Sequence, residues 1–216
     1  MALRPVRSNS RSPDDYNKLF LADPDAPSGE VMRDFTPRRF DRDRECLTID
    51  FALHEVGPVA QWAQAAAVGD RLAIGGPRGS VIVPDDFDYY QLVGDETALP
   101  AIGRRIEGLW AGVPVTSVVL VDCPAEIQVF ETEAYLNPTW VLRSNAMADE
   151  AALVREALER WQAPQGEGYV WIAAEAQVAR SLKSYMLEQR YHPKAWLKAS
   201  GYWVRGVAGA SEKMEG

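Results

Sequence analysis

The sequence predicts an antiparallel, β-rich first domain followed by an α/β second domain. Three observations carry that expectation. Residues 1–86 read as short strands parted by Gly/Pro turns, with one small helix, the texture of a barrel or sandwich. From residue 87 to residue 216, strand-like runs alternate with helical ones, as βαβ units do. Between the two lies an acidic, turn-prone joint of Pro84, Asp85, Asp86 and Asp88.

Composition narrows the classes. With 216 residues, 47% of them apolar, the chain can bury a real core. No apolar run reaches the length of a membrane span. The first residues lack the apolar stretch of a secretion signal, so a cytoplasmic protein is expected. Cys46 and Cys123 lie too far apart to suggest a disulfide framework or a zinc site. Two histidines, His54 and His192, do not build a histidine metal centre. A net charge of −8 argues against nucleic acid, and any anionic ligand needs a local basic patch.

In the first domain, residues 1–13 are polar and read as a frayed end. Residues 15–21 read as a strand with Asn17, Leu19 and Leu21 on one face and Tyr16, Lys18 and Phe20 on the other. A Pro/Gly loop follows over residues 23–29. Residues 32–40 and 46–54 are predicted strands joined by a charged turn, the second alternating Leu47, Ile49, Phe51 and Leu53. Gly57 and Pro58 open an alanine-rich helix, residues 71–74 form another strand, and residues 75–80 a tight loop.

The second domain is organised around residues 94–102. The apolar Leu92 and Val93 enter as a buried strand, and Gly94 turns the chain. Asp95 or Thr97 caps a helix that tolerates Pro100 in its first turn and continues through Ile102 and Ile106. Strands are then expected at residues 113–121, 127–130, 139–142 and 168–173. Asp149 caps a helix carrying Leu153, Ala157, Leu158 and Trp161, and a further helix carries Val178, Leu182, Tyr185 and Met186 on one stripe. The tail from Trp196 to Gly206 is aromatic and basic.

Several residues admit two readings. Arg33 pairs with a phosphate, Phe35 stacks on a heterocycle and Thr36 hydrogen-bonds it, or the three are a surface arginine beside a core phenylalanine. The helix start at Pro58, Val59 and Ala60 receives a pyrophosphate, or binds nothing. Asp50 inside a strand needs a donor, whereas His54 is more often structural. Lys18, Arg78 and Arg205 are each solvated charges unless they converge on one pocket. Glu175 marks a strand end where α/β sheets bind ligands, or it caps the next helix. There is no P-loop, no G-x-G-x-x-G and no nucleophile triad.

Together these segments resemble the siderophore-interacting protein family, flavin-dependent ferric-siderophore reductases related to ferredoxin–NADP reductases. The matching pieces are residues 33–38, 50–54, 57–63, 76–80, 94–102, 171–176 and 201–203, in the family's order. The resemblance implies an FAD-binding β-barrel followed by an α/β NAD(P)-binding-like domain. In it, Arg33 meets the flavin phosphates, Phe35 packs on the ring and Thr36 meets its polar edge. Asp50, Phe51, Leu53, His54, Pro58, Val59 and Ala60 hold the rest of FAD, and Thr97 and Ala98 close over the ring. Lys18, Arg78 and Arg205 match basic positions that receive an anionic ferric siderophore, with NAD(P)H or a ferredoxin as electron donor. The family has tyrosine where Phe35 stands, serine where Ala60 stands and a basic residue directly after Tyr202 and Trp203, where Val204 intervenes. It also carries barrel strands ahead of residues 16–21, which this chain starts too late to supply, so a barrel missing its first strands is expected. The rival readings are a general NAD(P)H:flavin or ferredoxin-type reductase, and a non-catalytic siderophore or flavin carrier.

Overall fold

A computed structural model describes residues 12–23, 26–52, 58–77, 82–143 and 149–214. The chain divides into two compact units, one ending at Val83 and one beginning at Pro84.

The first unit is antiparallel among its described residues. Strands β1 (Asn17–Ala22), β2 (Glu30–Phe35) and β5 (Ala73–Gly75) form one sheet in the order β2-β1-β5. Strands β3 (Pro37–Asp41) and β4 (Cys46–Ile49) form a separate pair. The predicted strand over residues 32–40 is therefore two strands. Pro37 has no N–H and holds the preceding residue extended, so the ladder breaks at Thr36 and the chain changes sheet. The second predicted strand is shorter than expected and ends at Ile49. The alternation in β1 holds, with Asn17, Leu19 and Leu21 buried. Helix α1 spans Pro58–Ala65.

The second unit is a six-stranded sheet in the order β11-β10-β9-β6-β7-β8. Its strands are β6 (Tyr89–Asp95), β7 (Pro114–Val121), β8 (Tyr135–Leu142), β9 (Gly168–Glu175), β10 (Leu197–Trp203) and β11 (Glu212–Met214). All neighbours are parallel except β10 and β11. Every residue of β6 and of β9 is buried, as central strands covered on both faces require. Helices α3 (Glu150–Arg160) and α4 (Ala176–Glu188) pack Val154, Leu158, Leu182 and Met186 against Val93, Val118 and Ile172. Helix α2 (Leu99–Glu107) buries Ile102 and Ile106.

Two local expectations change here. No strand forms over residues 127–130. A 3-10 turn at Pro124–Glu126 leads into irregular chain, and Phe130 is held by stacking on Trp140 at 6.4 Å rather than by a ladder. Gly94 is required for close approach rather than for its backbone angles. A Cβ there would lie 2.6 Å from the Ala98 Cβ and 2.7 Å from the Ala173 carbonyl oxygen.

Candidate functional site

The β1–β2 register decides which residues of the first unit share a face. Leu19 pairs with Arg33 and Asn17 with Phe35, so Arg33 and Phe35 stand on the same face as the buried Asn17 and Leu19. The Phe35 ring lies 4.9 Å from Phe51, and Phe51 lies 5.9 Å from Trp62 of α1. Thr36 is buried at the break between β2 and β3. The Arg33 guanidinium donates to the Met32 carbonyl at 3.0 Å and is otherwise available for an anion among the contacts described. In α1, Ala60 is buried while Pro58 and Val59 are half-buried. Arg38 forms an ion pair with Asp50 at 3.9 Å, and Asp50 lies past the end of β4 with its side chain 42% exposed, not in a strand interior as expected. Leu53, His54 and Arg78 lie outside the described residues.

These residues fit a flavin. Asn17 is fully buried, and neither its Oδ1 nor its Nδ2 has a hydrogen-bond partner among the described residues. An unmet amide beside Phe35 and Thr36 suits the polar edge of a heterocycle. The Phe35–Phe51 pair supplies an apolar surface and Arg33 a phosphate partner. Lys18 is placed differently. It projects from the other face of β1, where its Nζ lies 2.8 Å from Asp34 Oδ1.

In the second unit the carboxyl ends of the parallel strands carry a polar network. Asp95 is 1% exposed. Its Oδ1 accepts from the Thr97 N–H at 3.0 Å and from the Thr97 hydroxyl. Its Oδ2 accepts from the Glu175 N–H and from Trp203 Nε1, both at 2.9 Å. Ala98 is fully enclosed. Glu175 is the cap of α4, accepting from the N–H groups of Gln177 at 2.7 Å and Val178 at 3.2 Å, and it also accepts from the Arg205 N–H. The Arg205 guanidinium lies 5.3 Å over the Trp203 ring and 2.9 Å from Glu150 Oε1.

Sequence reasoning missed Arg143. At the end of β8 its three nitrogens each meet a carboxylate: Glu96 at 2.9 Å, Asp122 at 2.6 Å and Glu150 at 3.0 Å. Burial raises the Glu96 carboxyl to about 7, aided by the charge of Asp95 and opposed by Arg143. Burial also raises Asp95 above the ordinary carboxylate range, while its hydrogen bonds from Thr97 and Trp203 oppose the rise. The carboxylates hold the Arg143 guanidinium protonated more firmly than an ordinary arginine.

A β-rich front unit followed by a parallel α/β unit is the architecture of the ferredoxin–NADP reductase class. A crystal structure of a ferredoxin NADP+ reductase from Neisseria gonorrhoeae, with bound FAD and NADP, superposes with a TM-score of 0.60 at 13% identity, covering 86% of this chain and 82% of that one. Residues 87–206 match the siderophore-interacting protein family and residues 21–81 its siderophore-interacting FAD-binding domain. The chain belongs to the siderophore-interacting protein family. It is 32% identical to the NADPH-dependent ferric-chelate reductase of Escherichia coli (strain K12), over 90% of this chain and 81% of that protein. A siderophore utilization protein from T. fusca superposes with a TM-score of 0.85 at 35% identity, covering 95% of this chain and 84% of that one.

Proposed function

We propose that this chain is an FAD-dependent ferric-siderophore reductase that takes its electrons from NAD(P)H. The observation that supports it most is the shared face of Arg33, Phe35 and the orphaned Asn17 amide, inside the stretch that matches the family's FAD-binding domain. The E. coli relative is named as an NADPH-dependent ferric-chelate reductase, which agrees in substrate class and donor.

FAD, when bound, supplies the conversion of a two-electron donor into single-electron steps toward Fe(III). The side chains bind and orient. Arg33 neutralises the cofactor's phosphates, Phe35 and Phe51 line its ring, and Thr36 meets its polar edge. Asp50, Leu53, His54, Pro58, Val59 and Ala60 complete the set in the first unit, with Thr97 and Ala98 in the second. Lys18, Arg78 and Arg205 are the basic residues assigned to the anionic ferric siderophore. The chelate competes with Asp34 for Lys18 and with Glu150 for Arg205. No side chain need act as acid, base or nucleophile, since the chemistry belongs to the cofactor. Iron leaves because hard oxygen donors hold Fe(III) far better than Fe(II). A reduced ferredoxin is the alternative donor, and the proposed compartment is the cytoplasm, where reduced nicotinamide nucleotides are made.

The visible spectrum tests this. The purified protein loaded with FAD is expected to bleach with NADH or NADPH under anaerobic conditions and to recover its colour on addition of a ferric siderophore. Arg33→Ala is expected to shed FAD through loss of a charge-assisted contact worth about 1.5–3 kcal/mol. Arg78→Ala is expected to keep FAD and to bind the ferric siderophore less tightly. Flavin lost from Arg78→Ala would reverse that division of roles. Turnover on free flavin equal to that on ferric siderophores would instead favour a general flavin reductase, and binding without electron transfer a carrier.

A further inference from the structure

Arg205 is the basic residue that the reductase reading gives to the chelate in the second unit. Its side chain is 59% exposed, so an anion can reach it despite the contact with Glu150. A charge on a surface turn serves a ligand well only if the turn is held still, because freedom lost on binding costs affinity. Arg205 and Gly206 form the tip of a tight turn, closed by the Val207 N–H to the Val204 carbonyl at 3.0 Å, with Gly206 at a φ of +78°. Two bonds tie the base of this turn to the carboxyl end of the sheet. The Arg205 N–H donates to Glu175 Oε1 at 3.1 Å, and Trp203 Nε1 donates to Asp95 Oδ2 at 2.9 Å. Both ties lead to one carboxylate, since the Glu175 N–H donates to the same Oδ2. The other oxygen of Asp95 holds the Thr97 N–H and hydroxyl. A carboxylate that is 1% exposed and bonded to four donors keeps one orientation. The reach of Trp203 is built into its strand. β9 lies between β10 and β6, so the indole extends past the end of a whole strand. It does so where the register with β9 shifts: Gly201 faces Ala174 and Trp203 faces Glu175, which leaves one extra residue in β10. A bulge of this kind re-aims a side chain. The ring it re-aims is the one over which the Arg205 guanidinium lies at 5.3 Å.

We propose that Asp95 is a positioning residue for the substrate: through Trp203 and Glu175 it fixes the Arg205 turn relative to the Thr97 turn, and so sets the affinity for an anionic ferric chelate. The inference rests on the reductase reading, in which Thr97 lies at the cofactor and Arg205 at the chelate. Asp95 is too deeply buried to meet the chelate and acts only through Arg205.

Calorimetric titration of the FAD-loaded protein tests this, with the gallium(III) complex of a hexadentate tris-catecholate as probe, a trianion without a reducible metal. Trp203→Phe deletes the indole N–H and keeps a ring beneath Arg205. It is expected to weaken binding about fivefold, and Asp95→Asn at least as much. In an Arg205→Ala background, Trp203→Phe is expected to change the affinity by less than about twofold while still lowering the melting temperature. A merely structural role would give the same loss of affinity in both backgrounds. That result overturns the inference, as does Trp203→Phe binding like the wild type. Wild-type protein that fails to bind the trianion, or Arg205→Ala that binds it undiminished, also overturns it by removing Arg205 from the chelate. Hydrogen exchange gives a readout independent of any ligand. The Trp203 indole proton is expected to exchange slowly in the wild type and rapidly in Asp95→Asn, and rapid exchange in the wild type overturns the inference. The reductase reading is tested separately, with dithionite-reduced holoprotein and ferric citrate. A flavin that stays reduced there overturns that reading whatever the affinities do.

Discussion

Glu96 shows how far a single carboxyl is set by its surroundings. It is folded beneath the surface beside Asp95, and its pKa rises to about 7 from an ordinary 4.5. The folded chain therefore holds a proton that the unfolded chain has lost across that window. By linkage, this group's contribution is fully present below pH 4.5 and is lost as pH rises through about 7. The melting temperature of the second unit is expected to fall as pH rises between those values, and Glu96→Gln to flatten the slope. An unchanged slope in the variant would assign the pH dependence to other groups. The sequence singled out Arg33, Phe35 and Thr36 because they lie close together in the chain, although Thr36 falls just past the end of β2. It hid Arg143, whose partners Glu96, Asp122 and Glu150 lie 47, 21 and 7 positions away. The Trp203–Asp95 bond spans 108 positions and was equally invisible. Long-range pairs of this kind leave no periodicity to read.

Among the elements, the helix starts of the second unit were the most legible. Asp149 occupies the capping position that its neighbours suggested, whereas neither Asp95 nor Thr97 caps α2: Asp95 caps a 3-10 turn at Glu96–Ala98, and α2 begins at Leu99 without a side-chain cap. Asp149→Ala removes the side-chain cap of α3, the bond to the Ala152 N–H, and is expected to cost ~1 kcal/mol by urea unfolding. The strand ends of the first unit were less legible. Alternation alone carried residues 32–40 as one strand, although Pro37 was in plain view to interrupt it. Gly94 was noticed for the wrong physical reason. Gly94→Ala forces a methyl onto the Ala173 carbonyl oxygen at the centre of the sheet, where β6 pairs with β9. It is expected to cost on the order of 1–3 kcal/mol, whereas a merely conformational glycine at ordinary backbone angles would be neutral or gain stability.

At the scale of the whole molecule the chain is two units. The second owns a continuous apolar layer between its sheet and helices α3 and α4. A fragment beginning at Pro84 is expected to fold by itself, with a single cooperative transition in circular dichroism. A fragment without such a transition would show that its core depends on the preceding residues. Among the described residues its sheet also ends at β8, with no strand hydrogen-bonded beyond it, and β8 contains Pro138. An imino acid leaves a gap in the row of donors along this border. A strand arriving from another copy would find the ladder interrupted midway, which disfavours the side-by-side stacking through which exposed sheets grow into fibres.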